Sequence, residues 1–117
     1  MTREFVELPL FRTRWKTLGL NEADLQALQE EILLNPKVGN VLRTTGGIRK
    51  MRFAFKNKGK SGSVRVIYID FEIYEKIYLI TAYAKNEKEN LTDSERNELK
   101  TLVKVLENQL KEKEEGV

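Results

Sequence analysis

The chain has no cysteine and no histidine, and only two prolines in 117 residues. Without cysteine there is neither a disulfide framework nor a thiolate nucleophile. Without histidine, the usual general base near neutral pH and the commonest metal ligand are both gone. Long hydrophobic runs are also missing: nothing reaches the length of a membrane span, and "MTREFVELPLFRTRW" carries charge on both sides of a short apolar patch. The chain therefore reads as cytoplasmic, with no membrane, no metal and no cofactor. The most telling scarcity is local. From Ile32 to Ile69 there is no Asp or Glu, whereas Lys37, Arg43, Arg49, Lys50, Arg52, Lys56, Lys58, Lys60 and Arg65 supply nine cations. From Glu87 onward acids lead bases nine to six, so the net charge of +3 conceals a segregation. A cationic block beside a balanced tail suits a face built for a polyanion. A face kept cationic for solubility would read the same on charge alone.

What is present organises into one domain over 1–117, long enough to bury roughly two-thirds of the surface its unfolded form exposes. "EFVEL" reads as a short strand. Pro9 then opens a brief helix on which Phe11, Trp15 and Leu18 share a side, with Gly19 as its stop. "NEADLQALQEEILLNP" reads as a helix capped by Asn21, with Leu25, Leu28 and Ile32 on one stripe and Asn35-Pro36 ending it. In "IRKMRFAF" the alternation points Met51, Phe53 and Phe55 one way and Lys50, Arg52 and Ala54 the other. "KNKGKSGS" reads as a loop. "VRVIYIDFEI" and "KIYLITAYA" have apolar residues at both parities, as in central strands covered on two sides, with Arg65 the exception in the first. "LTDSERNELKTLVKVLENQL" begins with Thr92 and Glu95 in capping-box spacing and carries Leu99, Leu102, Val103, Leu106 and Leu110 as one stripe. Residues 112–117 read as a fraying end. The class is α+β: a small, mainly antiparallel sheet of about four strands, two N-terminal helices and a C-terminal amphipathic helix.

One apparent motif is discarded. "AFKNKGKS", Ala54 to Ser61, approaches a phosphate-cradling loop, but Ala54 replaces the first glycine and both flanks read as strands where that loop must enter a helix.

With histidine and cysteine absent and no clear carboxylate pair, hydrolysis by a histidine-activated nucleophile or by paired acids lacks its parts. RNA cleavage stays open, because RNA brings its own nucleophile, the 2′-hydroxyl. Cations can relieve charge on the reacting phosphate and move protons. Arg65 offers a planar fork that cannot lose its proton, which suits a charge stabiliser and excludes a base. Lysine can give up its proton when cations crowd it, so Lys50, sharing a face with Arg52, is the candidate base.

The segments "GGIRKMR", "KGKSGSVRVIY", "AYAKNE" and "LTDSERNELKTLV", in this order and spacing, resemble the RelE/HigB family of toxins of type II toxin-antitoxin systems, most closely the HigB-like branch of the RelE/ParE superfamily. The resemblance implies a RelE-like fold and an endoribonuclease, a metal-independent mRNA interferase that cuts messenger RNA in the ribosomal A site and arrests translation. Ribosome and mRNA would then be partners, together with a cognate antitoxin of helix-turn-helix type through which the toxin meets operator DNA only indirectly. Carried over by position, the family's catalytic cations fall on Lys50, Arg52, Arg65 and Lys85. The family's arginine after that lysine is Asn86 here, and its later tyrosine falls near Leu91-Thr92, so the tyrosine's part is open between two readings: it passes to Tyr83, or it is not needed where RNA geometry imposed by the ribosome drives cleavage. Arg43, Arg49, Lys56, Lys58 and Lys60 are the expected contacts to RNA and ribosome, which position without reading sequence. A non-catalytic ParE-like inhibitor of DNA gyrase, or a basic nucleic-acid-binding module, is the other reading of the same scaffold.

Overall fold

The structure, a computed structural model, describes residues 2–57, 59–87 and 90–116. Strand β1 (Glu4–Glu7) leads into helix α1 (Pro9–Thr17) and helix α2 (Glu22–Leu34). The two-residue strand β2 (Asn40–Val41), the long strands β3 (Arg49–Asn57), β4 (Lys60–Phe71) and β5 (Lys76–Ala84), and helix α3 (Asp93–Glu114) follow. A single turn of 3₁₀-helix, Glu72–Tyr74, joins β4 to β5. The sheet runs β1-β5-β4-β3-β2. Among the described residues only the β1–β5 pair is parallel. Helices cover both faces, and none is long and apolar enough to cross a membrane.

The helices start where the sequence caps them. Asn21 accepts from the Asp24 amide at 2.9 Å while the Asp24 carboxylate accepts from the Asn21 amide, a reciprocal box that satisfies two of the donors every helix start leaves open. Thr92 and Glu95 do the same for α3. Gly19, at φ +80°, provides the left-handed residue on which α1 stops.

Alternation divides the sheet between two cores. Met51, Phe53, Val64, Val66, Tyr68, Ile77 and Leu79 meet Phe11 and Trp15 of α1 and Leu25, Leu28 and Ile32 of α2. Trp15 stacks on Phe11 at 5.2 Å between ring centres and tilts against Phe53 at 5.8 Å. On the opposite face Ile67, Ile69, Phe71, Tyr78 and Ile80 receive Val103, Leu106 and Leu110 of α3. The two-sided cover expected for β4 and β5 is present.

Two expectations are corrected. The sheet has five strands, because Asn40 and Val41 pair with Lys50 and Arg49. The stretch read as a loop, "KNKGKSGS", is mostly ladder. Pairing continues through Phe55↔Gly62 and Lys56↔Ser61 to Asn57↔Lys60. Gly59, just before Lys60, takes φ +79°. Backbone pairing needs no apolar side chains, so a polar composition did not end the strands.

Candidate nucleic-acid interface

The ladder register places the predicted cations. Arg52 lies opposite Arg65, and Arg65 opposite Tyr83, giving one row across β3, β4 and β5. Lys50, Ile67 and Thr81 form the next row. Arg65 and Ile67 are on the α3 side of the sheet, so Lys50, Arg52, Arg65 and Tyr83 share that side. Tyr83 reaches it through a bulge. The register steps from Ile67↔Thr81 to Tyr68↔Leu79, leaving Ile80 as the extra residue. Without that step Tyr83 would share the parity of Ile77 and Leu79 and enter the other core; bulges re-aim side chains in this way.

Two guanidinium groups directly across a strand pair repel one another. Arg65 is in the less comfortable position. It is half-buried, and its Nη1 is shielded from solvent without a hydrogen-bond partner among the described residues. Leaving a buried donor unmatched costs on the order of 1–3 kcal/mol, and more when the donor is charged. None of the salt bridges among the described residues, Arg3–Asp70, Arg14–Glu87 and Lys76–Glu4, involves Lys50, Arg52 or Arg65. This row therefore holds positive charge that an anion can match. Beside it opens a cavity of about 520 Å³, bordered by Ile67, Thr81 and Tyr83 of the sheet and by Glu95, Leu99 and Leu102 of α3.

The other predicted residues are spread more widely. Lys56 is exposed on β3 and alternates with Lys50 and Arg52, so it extends the same face toward the hairpin tip. Lys60 begins β4, but its side chain, like all of Lys58, lies outside the described residues. Lys85 is exposed immediately beyond β5. Arg43 is exposed in the loop after β2, where its carbonyl accepts from Arg96 Nη1 at 2.8 Å. Arg49 is not brought to the row. It lies opposite Tyr68, on the side of α1 and α2, and its Nη1 donates to the Gly39 carbonyl at 2.7 Å and to that of Lys37 at 3.4 Å.

Two residues that sequence reasoning passed over hold the end of β5. Arg14 of α1 donates through Nε to the Ala82 carbonyl at 3.0 Å and through Nη2 to the Glu87 carboxylate at 2.6–2.7 Å. Glu87 Oε1 accepts the Ala84 amide at 2.8 Å. That backbone donor, with Arg14 behind it, holds the Glu87 carboxyl below the ordinary carboxylate range. The only trace in the sequence is the glutamate closing "AYAKNE".

The family described as RelE toxin of RelE / RelB toxin-antitoxin system matches residues 39–115. The chain belongs to the RelE toxin family. This makes it the toxin half of a toxin–antitoxin pair, with a cognate antitoxin as its partner. The stretch matched to the RelE family includes every cation predicted for the site, from Arg43 to Lys85, while α1 with Arg14 precedes it. Among solved structures, the chain is similar to a mutant of E. coli toxin RelE, with two arginines replaced by alanine, in the free state. The TM-score is 0.53 at 16% identity, over 76% of this chain and 90% of that one. That likeness concerns the RelE fold, which here carries a five-stranded sheet with helices on both faces.

Proposed function

We propose that this toxin, as a HigB-like member of its family, is a ribosome-dependent endoribonuclease that cuts messenger RNA in the A site without a metal ion. The observation that carries the reading is the Arg52–Arg65–Tyr83 row, with a buried Arg65 Nη1 that has no partner among the described residues. A phosphodiester seated over this row supplies the missing acceptor.

The chemistry starts from the substrate's 2′-hydroxyl. Lys50, one row away from Arg65, takes the hydroxyl proton as general base. The 2′-oxygen attacks the adjacent phosphorus while the bond to the 5′-oxygen breaks, leaving a 2′,3′-cyclic phosphate on one product. The departing 5′-oxygen takes up a proton from water and becomes the hydroxyl of the other, and Lys50 returns the proton it took to solvent. Arg65 and Arg52 bind the equatorial oxygens, whose charge grows in the transition state. Lys85 adds positive charge from the end of β5, and Tyr83 closes the row beside Arg65. Arg43, Lys56, Lys58 and Lys60 contact backbone phosphates of ribosome and message. The antitoxin, of helix-turn-helix type, withholds this face from RNA in the cytoplasm.

The test is to incubate the purified protein with translating ribosomes and a defined message and to map new 5′ ends by primer extension, with naked RNA alongside. Cuts that require the ribosome are the predicted result. Arrest of growth by the expressed protein with no cut on any message would end the ribonuclease reading and direct the assay to gyrase.

A further inference from the structure

Strand β5 is flanked on its outer edge by β1 only as far as Leu79. The register ends at Glu7↔Leu79, and the last backbone bond on that side runs from the Leu8 amide to the Leu79 carbonyl at 3.0 Å. Residues 80–84, which deliver Tyr83 to the row and lead into Lys85, continue past the end of β1. Two of their backbone groups are nevertheless matched by side chains. The Ala82 carbonyl accepts from Arg14 Nε, and the Ala84 amide donates to Glu87 Oε1. The two side chains are joined to each other by the Arg14–Glu87 ion pair. Glu87 also returns its own amide to the Ala84 carbonyl at 3.0 Å, so Lys85 and Asn86 lie within a turn closed in both directions. One donor and one acceptor from side chains thus stand in for two of the bonds that a longer β1 could have made.

We propose that Arg14 and Glu87 are positioning residues for the cationic row: acting as a surrogate edge strand, they fix Tyr83 against Arg65 and set the turn that carries Lys85. The inference rests on the ribonuclease reading above. It assigns to α1, which precedes the family match, a part in catalysis that requires no contact with RNA. An exposed or half-exposed ion pair contributes little to global stability. Its effect therefore falls on local geometry, and a displacement of about 1 Å in a catalytic constellation costs on the order of a hundredfold in rate.

The experiment measures single-turnover cleavage on programmed ribosomes at varied ribosome concentration for wild type, Arg14→Ala, Glu87→Ala, Glu87→Gln and the exchange Arg14→Glu with Glu87→Arg. Melting temperature and hydrogen exchange of the Ala84 amide are followed in parallel. The expected result is a roughly ten- to hundredfold drop in maximal rate for both alanine variants. The half-saturating ribosome concentration stays within about threefold and folding is retained. Glu87→Gln keeps an oxygen for the Ala84 amide and recovers part of the rate. The exchanged pair restores the charges but can neither donate to Ala82 nor accept from Ala84, so it stays slow. Variants that cut at the wild-type rate while the Ala84 amide exchanges faster would overturn the inference and leave the ribonuclease reading intact. Full rescue by the exchanged pair would also overturn it, by showing that charge alone matters. A wild type that never cuts would remove the ribonuclease reading itself.

Discussion

Tyr68 shows how one side chain organises the approach to the interface. It is fully buried, and its hydroxyl donates to the Pro36 carbonyl at 2.8 Å and accepts from the Gly39 amide at 3.0 Å. Arg49 holds the same segment from the neighbouring strand through the Gly39 carbonyl. Burial raises the phenol's ionisation above its ordinary value. A group whose proton is held more tightly in the folded state stabilises fully below its unfolded value, and that stability is lost as pH rises through the folded one. Tyr68 therefore weakens the fold only under strongly alkaline conditions. Tyr68→Phe leaves two buried backbone groups unmatched and costs about 1–3 kcal/mol. Urea denaturation near neutral pH would measure the loss, and an unchanged midpoint would show that water replaces the hydroxyl at no cost. Gly39 is packed as closely: a Cβ there would lie 3.0 Å from both the Lys50 carbonyl carbon and its oxygen. Glycine is needed for close approach, since the strand next to it carries the catalytic lysine of the proposed mechanism.

Among the elements, α3 has the clearest division of labour. Its capping box fixes where it starts, and Val103, Leu106 and Leu110 bind it to the sheet face that also displays the cationic row. Leu106→Ala removes a buried side chain from the centre of that contact and costs about 2–5 kcal/mol. A thermal or denaturant midpoint indistinguishable from wild type would mean that α3 docks without the use of this stripe. The helices were legible in the sequence because caps and apolar periods act within a few residues. Strand β2 was not, since two residues carry no period. The β3–β4 hairpin was cut short because lysine, glycine and serine look like loop material, whereas ladder bonds come from the backbone. For the site, alternation correctly put Lys50 and Arg52 on one side. It also places Arg49 with Met51 on the other, which a count of charges does not register. The bulge that turns Tyr83 toward Arg65 and the Arg14–Glu87 clamp were beyond reach. The first is a change of register, and the second joins residues 73 apart in the chain.

Over the whole molecule, charge is segregated along the sheet. The N-terminal edge pairs its charges, with Arg3 against Asp70 and Lys76 against Glu4, while the row of Lys50, Arg52 and Arg65 has no such partner among the described residues. The proposed mechanism gives two kinds of cation two purposes. Lys56, Lys58 and Lys60 are assigned sequence-independent phosphate binding. Replacing all three with alanine flattens the log–log dependence of ribosome affinity on salt by about two units, at about 0.7 for each phosphate of single-stranded RNA no longer neutralised. An affinity unchanged at every salt concentration would show that they touch no phosphate. In the same proposal those of the row act on the reacting group, and Arg65 is the one whose buried Nη1 has no partner among the described residues. The decisive measurement is the single-turnover cleavage rate of Arg65→Ala on saturating programmed ribosomes, with its ribosome affinity determined separately. A rate lower by on the order of 10²–10³, at near-wild-type affinity, is predicted for the loss of a transition-state charge stabiliser. Cleavage at the wild-type rate would contradict the mechanism and return Arg65 to a role in the fold alone.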